Sequence, residues 1–241
     1  MKEKIALKKD IDWNKISLLM KIGLLGALIN LAGDMIIGWG IRNECLIGIE
    51  DFISHYLKVS DIRLFWSAIL GLIGAPVSTI AHFGVYQLIK PFSQKYSKLY
   101  RNGLFGCLIL GGPGVHMSSV ATAFFYKYMT VVSPNTALAS SIKFACYFSL
   151  PLYIPFFAFL ITETYAHLKV ISTGLSPYPR WCWIFSLPVG TLIFSFIKLL
   201  GNHAIVNAIM VGSLTLGNIW TIAGLLMMLK KAEENWQKVF V

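Results

Sequence analysis

Charged residues are scarce in this chain of 241 amino acids. Aspartate, glutamate, lysine and arginine together make up 13% of it, whereas 56% of its residues are hydrophobic. A water-soluble domain usually carries about a quarter charged residues, so this composition excludes an ordinary soluble globular protein. Several apolar runs reach the ~20 residues that an α-helix needs to cross a bilayer. The sequence therefore predicts an all-α integral membrane protein forming a single transmembrane domain over 1–241.

Cysteine is also rare, and its four copies are scattered along the chain without a CxxC pair. Neither a disulfide framework nor a zinc ribbon is indicated. The sequence further lacks an HExxH motif, a GxSxG motif and a glycine-rich phosphate loop before a lysine, which are signatures of common enzyme classes. We therefore expect no cofactor, and the sequence leaves open whether the protein is an enzyme.

Acidic residues are outnumbered by basic ones, 11 to 21, which gives a net charge of +10. Such a balance can indicate nucleic-acid binding, but here the lysines lie in short loops beside apolar runs, where they set membrane topology. We therefore expect no nucleic-acid partner. The expected partner is the lipid bilayer, and the oligomeric state stays open.

The apolar runs predict a bundle of six transmembrane helices. Their approximate ranges are 22–41, 64–89, 102–126, 143–166, 181–201 and 204–229. Of the 21 lysines and arginines, fifteen fall in the segments on one side of this arrangement and six on the other. Basic loops face the cytoplasm, so both termini are predicted to be cytoplasmic, in a plasma membrane of bacterial type.

Two acids and two histidines lie within predicted spans: Asp34, His82, His116 and Glu163. Ionisable groups inside a bilayer usually face the protein interior, a partner or a water-filled cavity. We therefore treat these side chains, rather than the apolar majority, as the candidates for function.

Asp34 and His116 fall in the outer halves of their helices, and Asn30 lies one turn before Asp34. Together with Ser118 and Ser119 they predict a polar cavity for a substrate or a proton. An imidazole can exchange protons near neutral pH, so His116 is the predicted titrating partner of Asp34.

A second, inner group consists of His82, Glu163 and His167. Glu163 and His167 are four residues apart, which places both on one face of a helix. Three such ligands could hold a divalent ion, although this spacing is a weak metal motif. The group can form only if the second and fourth spans are neighbours.

Two proline-containing segments add a hint about architecture. Pro76 and Pro188 share a Pro-Val-small-Thr-aliphatic pattern in equivalent positions of two three-helix halves, as in transporters built from inverted repeats. The glycines and proline of 111–114 predict a break in the third span, directly before His116.

Three functional hypotheses remain from the sequence. The first is a transporter of a small molecule or ion with a proton-linked cavity around Asp34 and His116. The alternative is an intramembrane enzyme that acts on a lipid-like substrate by acid–base or metal-assisted chemistry. A non-catalytic membrane partner, such as an immunity-type protein, is the third. The inverted repeat favours the first, and the histidines beside carboxylates favour the second.

Overall fold

The structure is a computed structural model that describes residues 11–240. Its regular elements are all helical, with no strand among the described residues, so the prediction of an all-α protein is confirmed. The basic segment 1–10, which contributed to the topology prediction, lies outside the described residues. The helices are α1 (Trp13–Gly38), α2 (Ile49–Ile53), α3 (Asp61–Ile89), α4 (Gln94–Val132), α5 (Pro134–Ser172), α6 (Leu187–Leu200), α7 (Ala204–Val211), α8 (Ser213–Met227) and α9 (Leu229–Phe240).

Helices α1, α3, α4 and α5 are each long and apolar enough to cross a membrane. Helices α7 and α8 meet the same criterion as a pair, although they are bent by 64°. The described residues therefore hold four candidate spans, or five if the bent pair counts as one. They belong to an integral membrane protein with several membrane-spanning helices.

The two last predicted spans differ from regular helices. A 3₁₀ turn at Arg180–Ile184 precedes α6, which is too short to pass the criterion alone. Pro188 occupies the first turn of α6, where its missing N–H is harmless, so the helix begins later than the apolar run. The predicted span 204–229 is interrupted at Gly212, between α7 and α8.

Helices α1 and α3 pack closely against each other through glycines. A Cβ added at Gly26 would lie 2.6 Å from the backbone carbon of Val77 and closer still to the nitrogen of Ser78. The opposite side of α1 exposes Leu25 and Leu28, at 59% and 48%. The side of α1 that carries Gly26 therefore faces protein, as small residues do where membrane helices approach closely.

The loops divide the bundle into two ends. The start of α1 and the residues 226–233 line a common surface pocket, and Asn235 donates to the carbonyl of Pro177 in the loop before α6. We call this end the termini face. At the other end the backbone N–H of Arg42 donates to Asn202, just after α6. We call that end the Asn202 face.

The 111–114 stretch forms a π-helical turn rather than a break. The turn spans Gly111–His116, and α4 continues through it. Pro76 has no N–H, so the Leu72 carbonyl one turn earlier lacks its helical donor. A Cβ at Gly112 would lie 3.0 Å from that carbonyl oxygen and 2.9 Å from the Pro76 ring, so the π turn packs closely against the kinked part of α3.

The two prolines of the suggested inverted repeat do not occupy equivalent positions in their helices. Pro76 lies inside α3, whereas Pro188 opens α6. The two segments therefore have different roles in their helices, and the short sequence match does not identify two equivalent half-bundles.

Helix α9 is an amphipathic helix that sequence analysis did not predict. Its Trp236 is 4% exposed and packs edge-on against Phe92, with ring centroids 5.4 Å apart. Lys230 and Lys231 are exposed on its other side. The helix therefore covers the termini face with its apolar side inward.

Candidate functional site

A cavity of about 560 Å³ lies in the interior of the bundle. Both carboxylate–histidine combinations that the sequence singled out line it: Asp34 with His116, and Glu163 with His82. Its lining comes mainly from α1, α3, α4, α5 and α8, together with a few residues of neighbouring segments. One cavity therefore connects the outer and inner groups that sequence analysis treated separately.

Asp34 and His116 form the first pair. His116 Nδ1 lies 3.2 Å from Asp34 Oδ1, and its other nitrogen, Nε2, lies 2.9 Å from the backbone carbonyl of Ser67. The imidazole rests against α3 where Gly71 leaves room, since a Cβ at Gly71 would overlap the ring. The predicted pairing of Asp34 with His116 is thus present in the geometry.

This arrangement fixes where protons can be. Because a carbonyl only accepts, His116 Nε2 must carry a hydrogen and donate it to Ser67. A neutral imidazole then has a bare Nδ1, which faces Asp34 Oδ1. Two bare acceptors would repel each other, so a proton shared between them would stabilise this contact and would leave the pair without net charge.

Asp34 is further held by a hydrogen-bond chain from α8. Thr215 donates its only hydroxyl proton to Asp34 Oδ2 at 2.6 Å, and the Asn30 amide donates to the Thr215 oxygen at 2.7 Å. Asn30 thus orients the Thr215 hydroxyl, and Thr215 in turn orients the Asp34 carboxyl group. The chain therefore stabilises a carboxylate at Asp34 and gives the predicted residue Asn30 an indirect role.

His82 and Glu163 form the second pair, with His82 Nδ1 2.6 Å from Glu163 Oε1. The Tyr100 hydroxyl lies 2.9 Å from the same nitrogen. His82 Nε2 lies 2.8 Å from Asn218 Oδ1, whose amide nitrogen in turn points to the Ser78 hydroxyl at 3.5 Å. Helices α3 and α5, the second and fourth predicted spans, are therefore close enough for His82 to contact Glu163.

Tyr100 adds a further partner to the second pair. His82 Nε2 donates to an amide oxygen, while Nδ1 faces both Glu163 Oε1 and the Tyr100 hydroxyl. Glu163 is 5% exposed, and an unpaired charge at such a place would be costly. The cavity thus contains two carboxylate–histidine pairs in direct contact.

The remaining predicted residues lie in different surroundings. Ser119 lines the cavity and makes a short hydrogen bond to Tyr153. Ser118 does not line the cavity, and its hydroxyl donates to the Val115 carbonyl at 3.1 Å. His167 lines the cavity and stacks on Tyr100, with ring centroids 6.5 Å apart.

The predicted metal ligands do not assemble as a set. His82 and Glu163 bind each other directly, whereas His167 makes its ring contact to Tyr100. Within residues 11–240 there is no group of three or more His, Cys, Asp or Glu side chains arranged to hold a metal ion. The geometry therefore brings together only His82 and Glu163, and not the three ligands that the metal hypothesis requires.

A serine near His116 raises the question of nucleophilic catalysis. The Ser67 hydroxyl lies 3.4 Å from His116 Nε2, on the far side from Asp34. That nitrogen already donates to the Ser67 carbonyl, so it cannot accept the hydroxyl proton. Ser67 is also fully buried and does not line the cavity. The trio is therefore a structural arrangement and not a catalytic triad.

Several residues of the site were missed by sequence analysis. Thr215 and Tyr100 are ordinary residues of apolar helices, and no local pattern distinguishes them. Gly71 makes the room for the His116 ring, and a glycine in an apolar helix does not reveal that role by its sequence context. Tyr56 also lines the cavity from the segment between α2 and α3, and burial raises the pKa of its phenol well above the usual value.

The chain matches a family model over residues 1–232, and that family is described as a family of unknown function, DUF6796. Neither a curated protein nor a solved structure matches the chain. Because the family match covers nearly all of the sequence, the protein belongs to the family of unknown function DUF6796.

Proposed function

We propose that this protein is a proton-coupled membrane transporter whose substrate occupies the central cavity. The observation that carries the proposal is that two carboxylate–histidine pairs line one cavity in the interior of a helical bundle. Ionisable residues inside membrane bundles mark substrate paths and proton relays. Asp34 and His116 are the principal proton site, with Asn30 and Ser119 beside them.

The proposed exchange follows from charge balance. A cationic group that binds the Asp34 carboxylate replaces the shared proton, and the neutral His116 then keeps only its bond to Ser67. The total charge in the cavity does not change. Loading with a cation and loading with a proton are therefore alternatives of similar electrostatic cost, which is what exchange transport requires.

The first test is proton movement by the reconstituted protein. Purified protein in liposomes containing a pH-sensitive dye is exposed in turn to amino acids, sugars, amines and organic acids. We expect at least one cationic or neutral class to cause proton flux that protein-free liposomes lack. Asp61→Asn is the matched control, because this carboxylate is 74% exposed and pairs with Lys127 on the Asn202 face. Its flux should be unchanged, and proton flux with none of the classes would overturn the proposal.

We further propose six membrane passages, with both termini on the cytoplasmic side. Helix α6 supports this count because the loop before it contacts Asn235 on the termini face, while Asn202 after it contacts Arg42. The segment from Pro177 to Asn202, which includes this short helix, thus connects the two ends of the bundle. The lysines and arginines of the loops supply the orientation.

Reporter fusions test this topology. A reporter after Val241 and a reporter in the loop 90–101 should both read cytoplasmic, and a reporter inserted at 48–56 should read external. If the reporter at 48–56 reads cytoplasmic, the orientation is wrong. If the two cytoplasmic positions disagree with each other, the number of passages is wrong.

A further inference from the structure

Buried polar atoms without partners occur in the lining of the central cavity. Within the described part of the chain, Asn30 Oδ1, His167 Nε2 and Ser186 Oγ have no hydrogen-bond partner. All three residues line the cavity, and His167 and Ser186 are only 5% and 1% exposed. Buried polar atoms are nearly always hydrogen-bonded in folded proteins, so this group indicates a guest that supplies the missing bonds.

Two of these atoms can accept hydrogen bonds. The Asn30 amide nitrogen donates to Thr215, which leaves the amide oxygen as the atom without a partner. His167 Nε2 accepts when the neutral ring carries its hydrogen on Nδ1. A guest that supplies both bonds must therefore bring hydrogen-bond donors.

The walls of the cavity indicate the charge and shape of the guest. Its aromatic lining includes Tyr153, Phe156 and Phe157, and no lysine or arginine contributes to it. Aromatic faces attract cations, and the lining carboxylates of Asp34 and Glu163 do so as well. An anion would find no lysine or arginine here, and the two carboxylates would repel it.

We propose that the cavity binds an organic amine in its protonated form. Its N–H groups donate to the acceptors at Asn30, at His167 and at the carboxylates, and its apolar body packs against the aromatic rings. This inference names the substrate class of the proposed transporter and rests on that function for the movement of the ligand. Binding of the ligand can be measured without transport.

Three probes of similar size separate donor, charge and apolar contributions. Benzylammonium carries both charge and N–H donors, benzyltrimethylammonium carries charge without donors, and benzyl alcohol carries a donor without charge. Calorimetric titration of the full-length protein in detergent should show benzylammonium binding at least about tenfold more tightly than either of the others. Equal binding of the two ammonium probes, tighter binding of benzyl alcohol, or no binding of any probe would overturn the inference.

Two variants locate the site. His167→Phe keeps a ring but removes the acceptor, and it should weaken benzylammonium binding about tenfold. Ser186→Ala removes a buried hydroxyl from the cavity lining and should also weaken binding. Ser176→Ala is its matched control, because Ser176 is likewise buried with an unpartnered hydroxyl, yet it does not line the cavity. Similar losses in Ser176→Ala and Ser186→Ala would contradict the assigned site, even if His167→Phe failed to fold.

The inference and the proposed function can fail separately. If benzylammonium binds as described but moves no protons across liposomes, the site is an amine-binding site and the transporter proposal is wrong. If another substrate class drives proton flux and no amine binds, the transporter proposal stands and the amine inference is wrong.

Discussion

Gly26→Ala is expected to destabilise the protein severely. The new methyl group would meet the backbone of α3 at Val77 and Ser78, and a backbone cannot turn aside as a flexible side chain can. Overpacking a core usually costs about 1–3 kcal/mol, and we expect this variant to lie at or above the upper end. The readout is the unfolding midpoint in detergent, together with the yield of folded protein.

Gly111→Ala is the matched control for this substitution. Gly111 is also a helical glycine of the bundle, but its added Cβ would meet only ordinary contacts, the nearest at 3.7 Å from Ala75. It should therefore change the free energy of unfolding by less than about 1 kcal/mol. If Gly26→Ala proved as stable as Gly111→Ala, helices α1 and α3 could not be as closely packed as described.

Asp34→Asn is expected to abolish proton coupling while leaving the fold intact. The amide nitrogen can donate to His116 Nδ1, and the amide oxygen can accept from Thr215, so both bonds of the carboxyl group survive. The shared proton, however, is no longer exchangeable. We expect substrate-driven proton flux to fall to the level of protein-free liposomes, with the unfolding free energy within about 1 kcal/mol of the wild type.

Asp34→Leu provides the contrast. Leucine leaves the Thr215 hydroxyl and His116 Nδ1 without a partner, and each unsatisfied group costs about 1–3 kcal/mol, so this variant should lose stability as well as flux. The decisive comparison is Asp34→Asn. A variant that is less stable but retains normal flux per folded molecule would mean that Asp34 is a structural residue and not the proton site.

The helices could be predicted from the sequence because the bilayer imposes a long apolar run on each full span. The predicted range 64–89 nearly coincides with α3, but α1 and α4 begin well before their apolar runs. Hydropathy marks the lipid-embedded part of a helix and not its ends. The division at Gly212 and the π turn before His116 depend on tertiary packing, which a periodicity cannot report.

The candidate site was predictable in part, for a related reason. Asp34, His82, His116 and Glu163 stand out because charge is costly in lipid. Their partners do not stand out, since Thr215 and Tyr100 are unremarkable in composition and become significant only by lying opposite an acid or an imidazole. Ser118 and Ser119 are adjacent in sequence, so only the rotation of α4 decided which one reached the cavity.

The π turn at Gly111–His116 sets the register of the second half of α4. A π turn contains one residue more than an α turn, and one residue of an α-helix corresponds to a rotation of about 100°. If this stretch tightened into a regular α-helix without moving Gln94–Leu110, the segment Met117–Val132 would turn by about that angle. His116 would then leave Asp34 and Ser67, and Ser119 would leave Tyr153. In this chain, winding that turn into a regular α-helix would therefore also break the contact between Asp34 and His116.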